Sequence, residues 1–305
     1  MLYEYALEPH VLSNWQSFRY FSEKFGVQHG RMISRFPRKW ARMVYEACSR
    51  CADVERKKIE EGLVNIKSKL IASNREYNQT MVWLENAETQ HLLQPFHAII
   101  AGSNPRARPE VLIADALDEN NPLWKVNREV CISRNATQLA LCLKPLFQAC
   151  SEVLFVDPHF NPAKHKYLNA FRQFFLAMDG NPKIRRIEYH LEESEEKPSK
   201  EFFEEKCQEN LPDLLNKGIE ITLVRWRKIE GKEDLHPRYI LTDIGGVRIE
   251  HGLDEGDEGE TTDVSLLEHS LYSKRWTDFQ RATSPYEYVD EVKVCGARSV
   301  SCAES

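Results

Sequence analysis

The chain has 305 residues, of which 42% are hydrophobic and 29% are charged, and its formal net charge is −6 at pH 7. These values are typical of a globular protein of one or two domains, and they exclude a global excess of positive charge. No apolar stretch approaches the roughly 18 residues that a membrane span needs. We therefore expect a cytoplasmic protein without a membrane span, whose eight dispersed cysteines are reduced thiols.

The first part of the chain is predicted to be helical. Glycine and proline are almost absent after Pro37, and apolar residues such as Trp40 and Val44 recur at helical spacing. We predict a helical module over residues 1–93. The prolines and short apolar runs of residues 94–132 predict a linker that carries one or two short strands.

From residue 133 onward, helical and strand patterns alternate along the chain. The predicted strands SEVLFVD, KIRRIEYHL and IEITLVRW are separated by amphipathic helices. Two further segments, RYILTD and GGVRIEHG, are predicted to be adjacent strands joined by a tight turn at Gly245 and Gly246. This alternation predicts an α/β domain over residues 133–305.

The segment LHPRYILTD carries the residues most suggestive of chemistry. His236, Arg238 and Asp243 have the spacing H-x-R-x-x-x-x-D. In a strand, His236 and Arg238 would project from the same face, where an imidazole and a guanidinium could meet one phosphate group. Asp243 lies an odd number of residues away, so its side chain would point elsewhere unless the strand ends first.

This segment and the strand and helix units before it, including Asp-Pro-His after the first strand, resemble the phospholipase D superfamily over residues 133–290. The resemblance implies a mixed sheet flanked by helices and a phosphodiesterase that needs neither a metal ion nor another cofactor. It also implies that His236 attacks phosphorus to form a phosphohistidine, that Arg238 holds the phosphate, and that Asp243 is a structural or histidine-orienting carboxylate. Arg238 stands where the family has lysine, and the family's Gly-Ser-x-Asn region reads EHGLDEG.

The superfamily uses a second histidine to protonate the leaving oxygen, and the chain has one copy of the motif. Two sources are open. A homodimer could supply the second imidazole from its other subunit, as in some members of the superfamily. Alternatively, His159 or His251 could supply it within one chain, since ligands of open α/β sheets gather at the carboxyl ends of strands. Asp157 and Asp254 are then candidates for substrate binding at the border of the site.

The N-terminal part holds a cluster of basic residues with aromatic residues between them. Its candidate phosphate contacts are Arg31, Arg35, Arg38 and Lys39. Such a patch could follow the backbone of DNA or RNA while aromatic rings stack on bases. The alternative is a helical surface that docks a partner protein.

Together these features predict a metal-independent phosphodiesterase, with a nuclease as the preferred form. Stand-alone bacterial members of the superfamily are often nucleases, and some resemble components of antiviral defence systems. The rival hypothesis is a catalytically degenerate domain, similar to the C-terminal domain of MIT-domain proteins, that binds a partner protein, a nucleic acid or an acidic lipid. The fold alone does not decide between these hypotheses.

Overall fold

A computed structural model describes residues 1–298. The chain divides into two compact units, Met1–Arg128 and Glu129–Ser305. Within the described residues, no helix has the length and apolar character that a membrane crossing requires. The seven cysteines of this part of the chain are free thiols, and Cys302 lies outside it.

The first unit is built on a five-stranded parallel sheet. Its strands are β1 (Tyr3–Leu7), β2 (Arg31–Arg35), β3 (Leu70–Ala72), β4 (Ala98–Ala101) and β5 (Val111–Ile113). They lie in the order β3-β2-β1-β4-β5, and every pairing is parallel. The helices of this unit are α1 (Trp15–Lys24), α2 (Trp40–Ala47), α3 (Asp53–Asn65) and α4 (Trp83–Leu93).

Helices cover both faces of this sheet. Tyr5 of β1 packs on one face with Phe18 of α1 and Val44 of α2. Ala6, the next residue of the strand, faces the other way and packs with Trp83 of α4. The alternation of β1 side chains between two cores therefore makes β1 a central strand with no face left for solvent.

The structure corrects the prediction of a helical module over residues 1–93, because β1, β2 and β3 lie within that range. Four of the five residues of β2 are buried. A short strand that is covered on both faces lacks the alternation of polar and apolar residues, so it is hard to recognise as a strand from its sequence. The structure also corrects the prediction of a linker over residues 94–132. β4 and β5 belong to the parallel sheet, and the division between the units follows Arg128.

The second unit is built on an eight-stranded mixed sheet. Its strands are β6 (Glu129–Ser133), β7 (Glu152–Val156), β8 (Arg186–Glu192), β9 (Glu220–Arg227), β10 (Tyr239–Thr242), β11 (Gly245–Ile249), β12 (Thr261–Leu266) and β13 (Glu287–Cys295). The order is β13-β9-β8-β7-β10-β11-β12-β6. β7, β8 and β9 are parallel to one another, and all other pairings are antiparallel.

The helices of the second unit are α5 (Ala136–Ala149), α6 (His165–Met178), α7 (Lys200–Asn210) and α8 (His269–Asp278). Phe155 of β7 stacks on Phe174 of α6 on one face of the sheet, with 5.5 Å between ring centroids. The neighbouring Val156 faces the opposite core, which includes Phe279 at the end of α8. The predicted α/β class is confirmed, as is the adjacency of RYILTD and GGVRIEHG, which pair in antiparallel fashion. The turn between them lies at Asp243 and Ile244, not at Gly245 and Gly246, which belong to β11.

Candidate active site

The candidate site lies at the carboxyl ends of the three parallel strands β7, β8 and β9. β7 ends at Val156, and His159 follows three residues later. β10 runs antiparallel to β7, with Tyr239 opposite Val156. His236 and Arg238, which precede β10, therefore lie beside the residues that follow β7.

The structure brings two imidazoles and a guanidinium together at this edge. His159, His236 and Arg238, which we call the histidine cluster, either follow β7 or precede β10 at the same edge of the sheet. Burial lowers the pKa of His159 below its ordinary value, and the positive charges of Lys197 and Arg238 lower it further, against the Asp157 carboxylate, which acts to raise it. His159 and His236 are both exposed to solvent, so both rings can meet a substrate.

Lys197 fixes which nitrogen of His159 is free. Its Nζ lies 3.3 Å from His159 Nδ1 and donates a hydrogen bond of 3.1 Å to the Pro158 carbonyl oxygen. An ammonium group can only donate, so neutral His159 accepts at Nδ1 and carries its proton on Nε2. The His159 ring therefore presents an N–H, not a lone pair, to the side away from Lys197.

Arg238 has free capacity to bind an anion. Its side chain is half-buried, and its Nε is buried without a hydrogen-bond partner among residues 1–298. A buried N–H without a partner costs free energy, and an oxyanion that accepted from it would remove that cost. The guanidinium thus has the chemistry of a phosphate clamp.

Asp157 is placed as a structural carboxylate. It is 1% exposed, and its oxygens accept hydrogen bonds of 2.9 Å from the backbone N–H groups of His159 and Leu253. Burial raises its pKa. This placement corrects the prediction that Asp157 binds substrate, because its oxygens accept backbone hydrogen bonds that connect the end of β7 to the turn that follows β11.

Asp254 is likewise buried, at 2% exposure. The prediction that it contacts substrate is therefore corrected, because its carboxylate is held in an internal ion pair. Its two oxygens each lie 2.5 Å from a cation, one from Arg134 and the other from Lys166. Gly252 makes this approach possible with a φ of 130°. A Cβ there would lie 2.6 Å from an Asp254 oxygen.

Asp243 lies at the opposite end of β10 from the histidine cluster. Its carboxylate accepts hydrogen bonds from the backbone N–H groups of Ser151 (2.7 Å) and Glu152 (3.0 Å) and from the Ser151 hydroxyl (2.6 Å). Of the two roles predicted for Asp243, the structural one fits these contacts, since the carboxylate ties β10 to the start of β7. It does not orient His236.

His251 is not placed in the histidine cluster. Its ring is 53% exposed and lies 3.9 Å from the Glu250 carboxylate. Its carbonyl oxygen accepts a hydrogen bond of 3.2 Å from Arg134. Of the two histidines predicted as internal partners of His236, the structure therefore favours His159.

The N-terminal basic residues predicted to contact phosphate differ in their exposure. Arg31 is buried and donates two hydrogen bonds, of 3.1 and 2.6 Å, to the Trp124 carbonyl oxygen. This corrects Arg31 from a phosphate contact to a core residue. The interleaved ring of Trp40 is fully buried, so it cannot stack on a base. Arg35 is half-buried, and Arg38 and Lys39 are exposed.

Lys197, Arg134 and Lys166 were not found from the sequence. Lys197 follows β8 in a loop, and its place beyond the carboxyl end of a strand is the signal that could have marked it. The partners of Asp254 carry no local signal, because Arg134 is 120 residues away in sequence. Within the described chain, no group of three or more His, Cys, Asp or Glu side chains is arranged to hold a metal ion.

No family model and no curated protein match the chain. Six chains of solved structures do. One is TrmBL2, an archaeal chromatin protein whose structure shows a novel mode of DNA binding, at a TM-score of 0.29 and 16% identity. The match covers 58% of this chain and 59% of that protein's chain. A likeness with such a low TM-score carries no argument about fold or function.

Proposed function

We propose that the second unit is a phospholipase D-like phosphodiesterase that cleaves DNA or RNA without a metal ion. The observation that supports this best is the placement of His159 after β7 and of His236 and Arg238 before β10, at one edge of the sheet. Ligands of open α/β sheets bind at this edge. Two imidazoles supply a nucleophile and a proton carrier, and a guanidinium stabilises the charge on the non-bridging phosphate oxygens.

The contact between Lys197 and His159 assigns the roles. The lone pair of neutral His159 is on Nδ1, which faces Lys197, so attack on phosphorus falls to His236 and proton transfer to His159. A nitrogen of neutral His236 forms the P–N bond as the P–O bond to the leaving group breaks. The leaving oxygen takes the Nε2 proton of the His159 imidazolium, and the transient neutral ring keeps its other proton on Nδ1 and has a lone pair on Nε2. Water then attacks phosphorus and returns a proton to His159 Nε2 as the P–N bond breaks.

In this proposal both imidazoles come from one chain, because His159 and His236 belong to the same second unit. Homodimerisation remains a separate prediction that the single motif suggested.

The test is hydrolysis of bis(p-nitrophenyl) phosphate and of a fluorescent single-stranded oligonucleotide in excess EDTA. We expect activity in the chelator and its loss to background in His236→Ala, because the nucleophile is removed. His159→Ala should lose about a hundredfold to ten-thousandfold, the usual contribution of a proton carrier. His251→Ala is the matched control and should keep full activity. Full activity in His236→Ala, or abolition by EDTA, would overturn the proposal.

A second function, recognition of a phosphate ester without hydrolysis, is favoured by the free guanidinium of Arg238. This reading predicts that phosphate esters bind to the unmodified protein, that Arg238→Ala removes the binding, and that no diester is cleaved. The hydrolysis experiment and a binding titration on the same preparation separate the two functions.

A further inference from the structure

A cavity of about 390 Å³ opens beside the histidine cluster, and the proposed chemistry leaves most of it unused. We call it the side cavity. His159 and Lys197 form its border with the cluster, and its far wall comes from α7 and the end of β8. Its volume falls within the range of small-molecule sites, about 300–1,000 Å³. A group attached to the bound phosphate could therefore enter it.

Aromatic rings line the side cavity, and one of them is open to solvent. Phe202 of α7 is 43% exposed, whereas Phe203 and Tyr167 are 5% and 6% exposed. The Nζ of Lys206 lies over one face of the Phe202 ring, 5.8 Å from its centroid, so a ligand would stack on the other face. The buried rings of Phe203, Tyr167 and Phe160 form a fixed wall. A flat apolar ligand with a polar edge would stack on Phe202.

The polar groups of the side cavity include acceptors and cations that the described part of the chain leaves unused. Glu192, at the end of β8, has a carboxylate without a hydrogen bond or ion pair there. Lys164, on the opposite wall, has an ammonium group in the same condition. Arg225 differs, because Asp290 accepts hydrogen bonds of 2.7 and 2.6 Å from its guanidinium. Glu196 also lines the cavity without such a partner, but it is exposed to solvent, whereas Glu192 is half-buried. The free acceptor within the cavity is thus Glu192, and the free cation is Lys164.

We infer that the side cavity binds the nucleobase next to the cleaved phosphodiester, with Phe202 stacked on the base and Glu192 accepting from an exocyclic amino group. The inference rests on the proposed function, which places the phosphate between His159, His236 and Arg238. Stacking on an aromatic side chain is tolerant of sequence, whereas a carboxylate selects bases that carry an amino group. Lys164 is then available to the next phosphate along the strand.

Two alternatives are less consistent with these walls. A choline-type headgroup favours a cage of several open aromatic faces without competing cations. Here Phe202 is the exposed ring among four phenylalanine and tyrosine rings, and Lys164 and Lys197 add positive charge. A base inside a duplex could not enter a cavity, so the ligand must be unpaired. A free nucleotide and the end of a single strand both carry such an unpaired base beside a phosphate.

The experiment measures binding to the full-length His236→Ala protein in EDTA, where no ligand is consumed. The probes are cytidine monophosphate, uridine monophosphate, ribose phosphate and phosphocholine. Cytosine and uracil differ at one exocyclic position, an amino group against an oxygen. We expect cytidine monophosphate to bind at least tenfold more tightly than the other three probes. A single-stranded oligonucleotide should bind, and the same sequence as a duplex should not.

Two variants test the named contacts. Phe202→Ala should weaken binding of cytidine monophosphate on the order of tenfold to a hundredfold and leave ribose phosphate unaffected. Leu141→Ala on α5 is its matched control, because Leu141 is also an exposed apolar residue of the second unit, at 56%. Glu192→Gln should remove the preference for cytosine over uracil, since the amide can donate to the uracil oxygen.

Equal binding of cytidine monophosphate and ribose phosphate, or tighter binding of phosphocholine, would overturn the inference, as would an unchanged Phe202→Ala. These outcomes are independent of hydrolysis. If the unmodified protein cleaves diesters but shows no base preference, the base site is wrong and the phosphodiesterase stands. If bases are distinguished but no diester is cleaved, the phosphodiesterase is wrong and the cavity is a nucleotide-binding site.

Discussion

Replacement of Asp243 by alanine should destabilise the second unit without removing any group from the histidine cluster. The carboxylate accepts three hydrogen bonds, two from backbone N–H groups at 2.7 and 3.0 Å and one from the Ser151 hydroxyl at 2.6 Å. Hydrogen bonds to a charged group contribute about 1.5–3 kcal/mol each. Asp243 is half-buried, so water replaces part of this interaction. We therefore expect a loss of about 3 kcal/mol in the free energy of unfolding.

Urea unfolding followed by circular dichroism measures this loss, and diester hydrolysis per folded molecule measures the site. Asp263→Ala is the control, because Asp263 is an exposed aspartate on β12 and should change stability by less than about 0.5 kcal/mol. The reasoning would be refuted if Asp243→Ala unfolded like the unmodified protein and yet lost as much activity as His236→Ala. That result would place Asp243 in the chemistry.

Three further predictions concern the pH dependence of catalysis, a buried ion pair and a buried arginine. The proposed role of His159 needs its protonated form in the first step. Burial and Lys197 lower the pKa of His159 below its ordinary value of 6.5. We therefore expect kcat/KM to fall as the pH rises through this lowered pKa. Lys197→Met should move this limb of the pH profile to higher pH, and an unmoved limb would argue against the assignment. Arg134→Ala leaves the buried Asp254 with Lys166 alone, so urea unfolding should show a loss of about 3 kcal/mol. Arg31→Ala leaves the Trp124 carbonyl oxygen of the first unit without its two hydrogen bonds, so the free energy of unfolding should fall by about 2–4 kcal/mol in the same measurement. If Arg31 instead contacted phosphate, its replacement would leave stability unchanged and reduce oligonucleotide binding.

The sequence predicted five of the eight strands of the second unit, where strands alternate with amphipathic helices or adjoin a tight turn, and it did not predict β6, β12 or β13. SEVLFVD and IEITLVRW stand out between helices such as α6, whose buried residues recur at helical spacing. The first unit gave no such contrast. β1 and β2 have five residues each, are largely buried, and are followed by helices whose periodicity dominates the pattern. Tertiary burial, not local preference, makes these segments strands.

The sequence grouped His236 and Arg238 through the alternation of a predicted strand and offered His159 as one of two internal partners. In the structure β10 begins at Tyr239, so His236 and Arg238 precede the strand. The partner His159 and the border residue Lys197 join them through the pairing of β7 with β10 and β8, which sets register over long sequence separations. Asp157 and Asp254 were misjudged because exposed and buried carboxylates have the same sequence signal.

Trapping of the covalent intermediate tests the central claim most directly. The protein would be mixed with a diester in EDTA, quenched rapidly at alkaline pH, digested, and analysed by mass spectrometry for an ester-phosphoryl group on histidine. The account predicts the adduct on the peptide that contains His236, more of it in His159→Ala if hydrolysis of the intermediate is slowed more than its formation, and none in His236→Ala. Turnover of the diester without any adduct on His236, or an adduct that persists in His236→Ala, would contradict it.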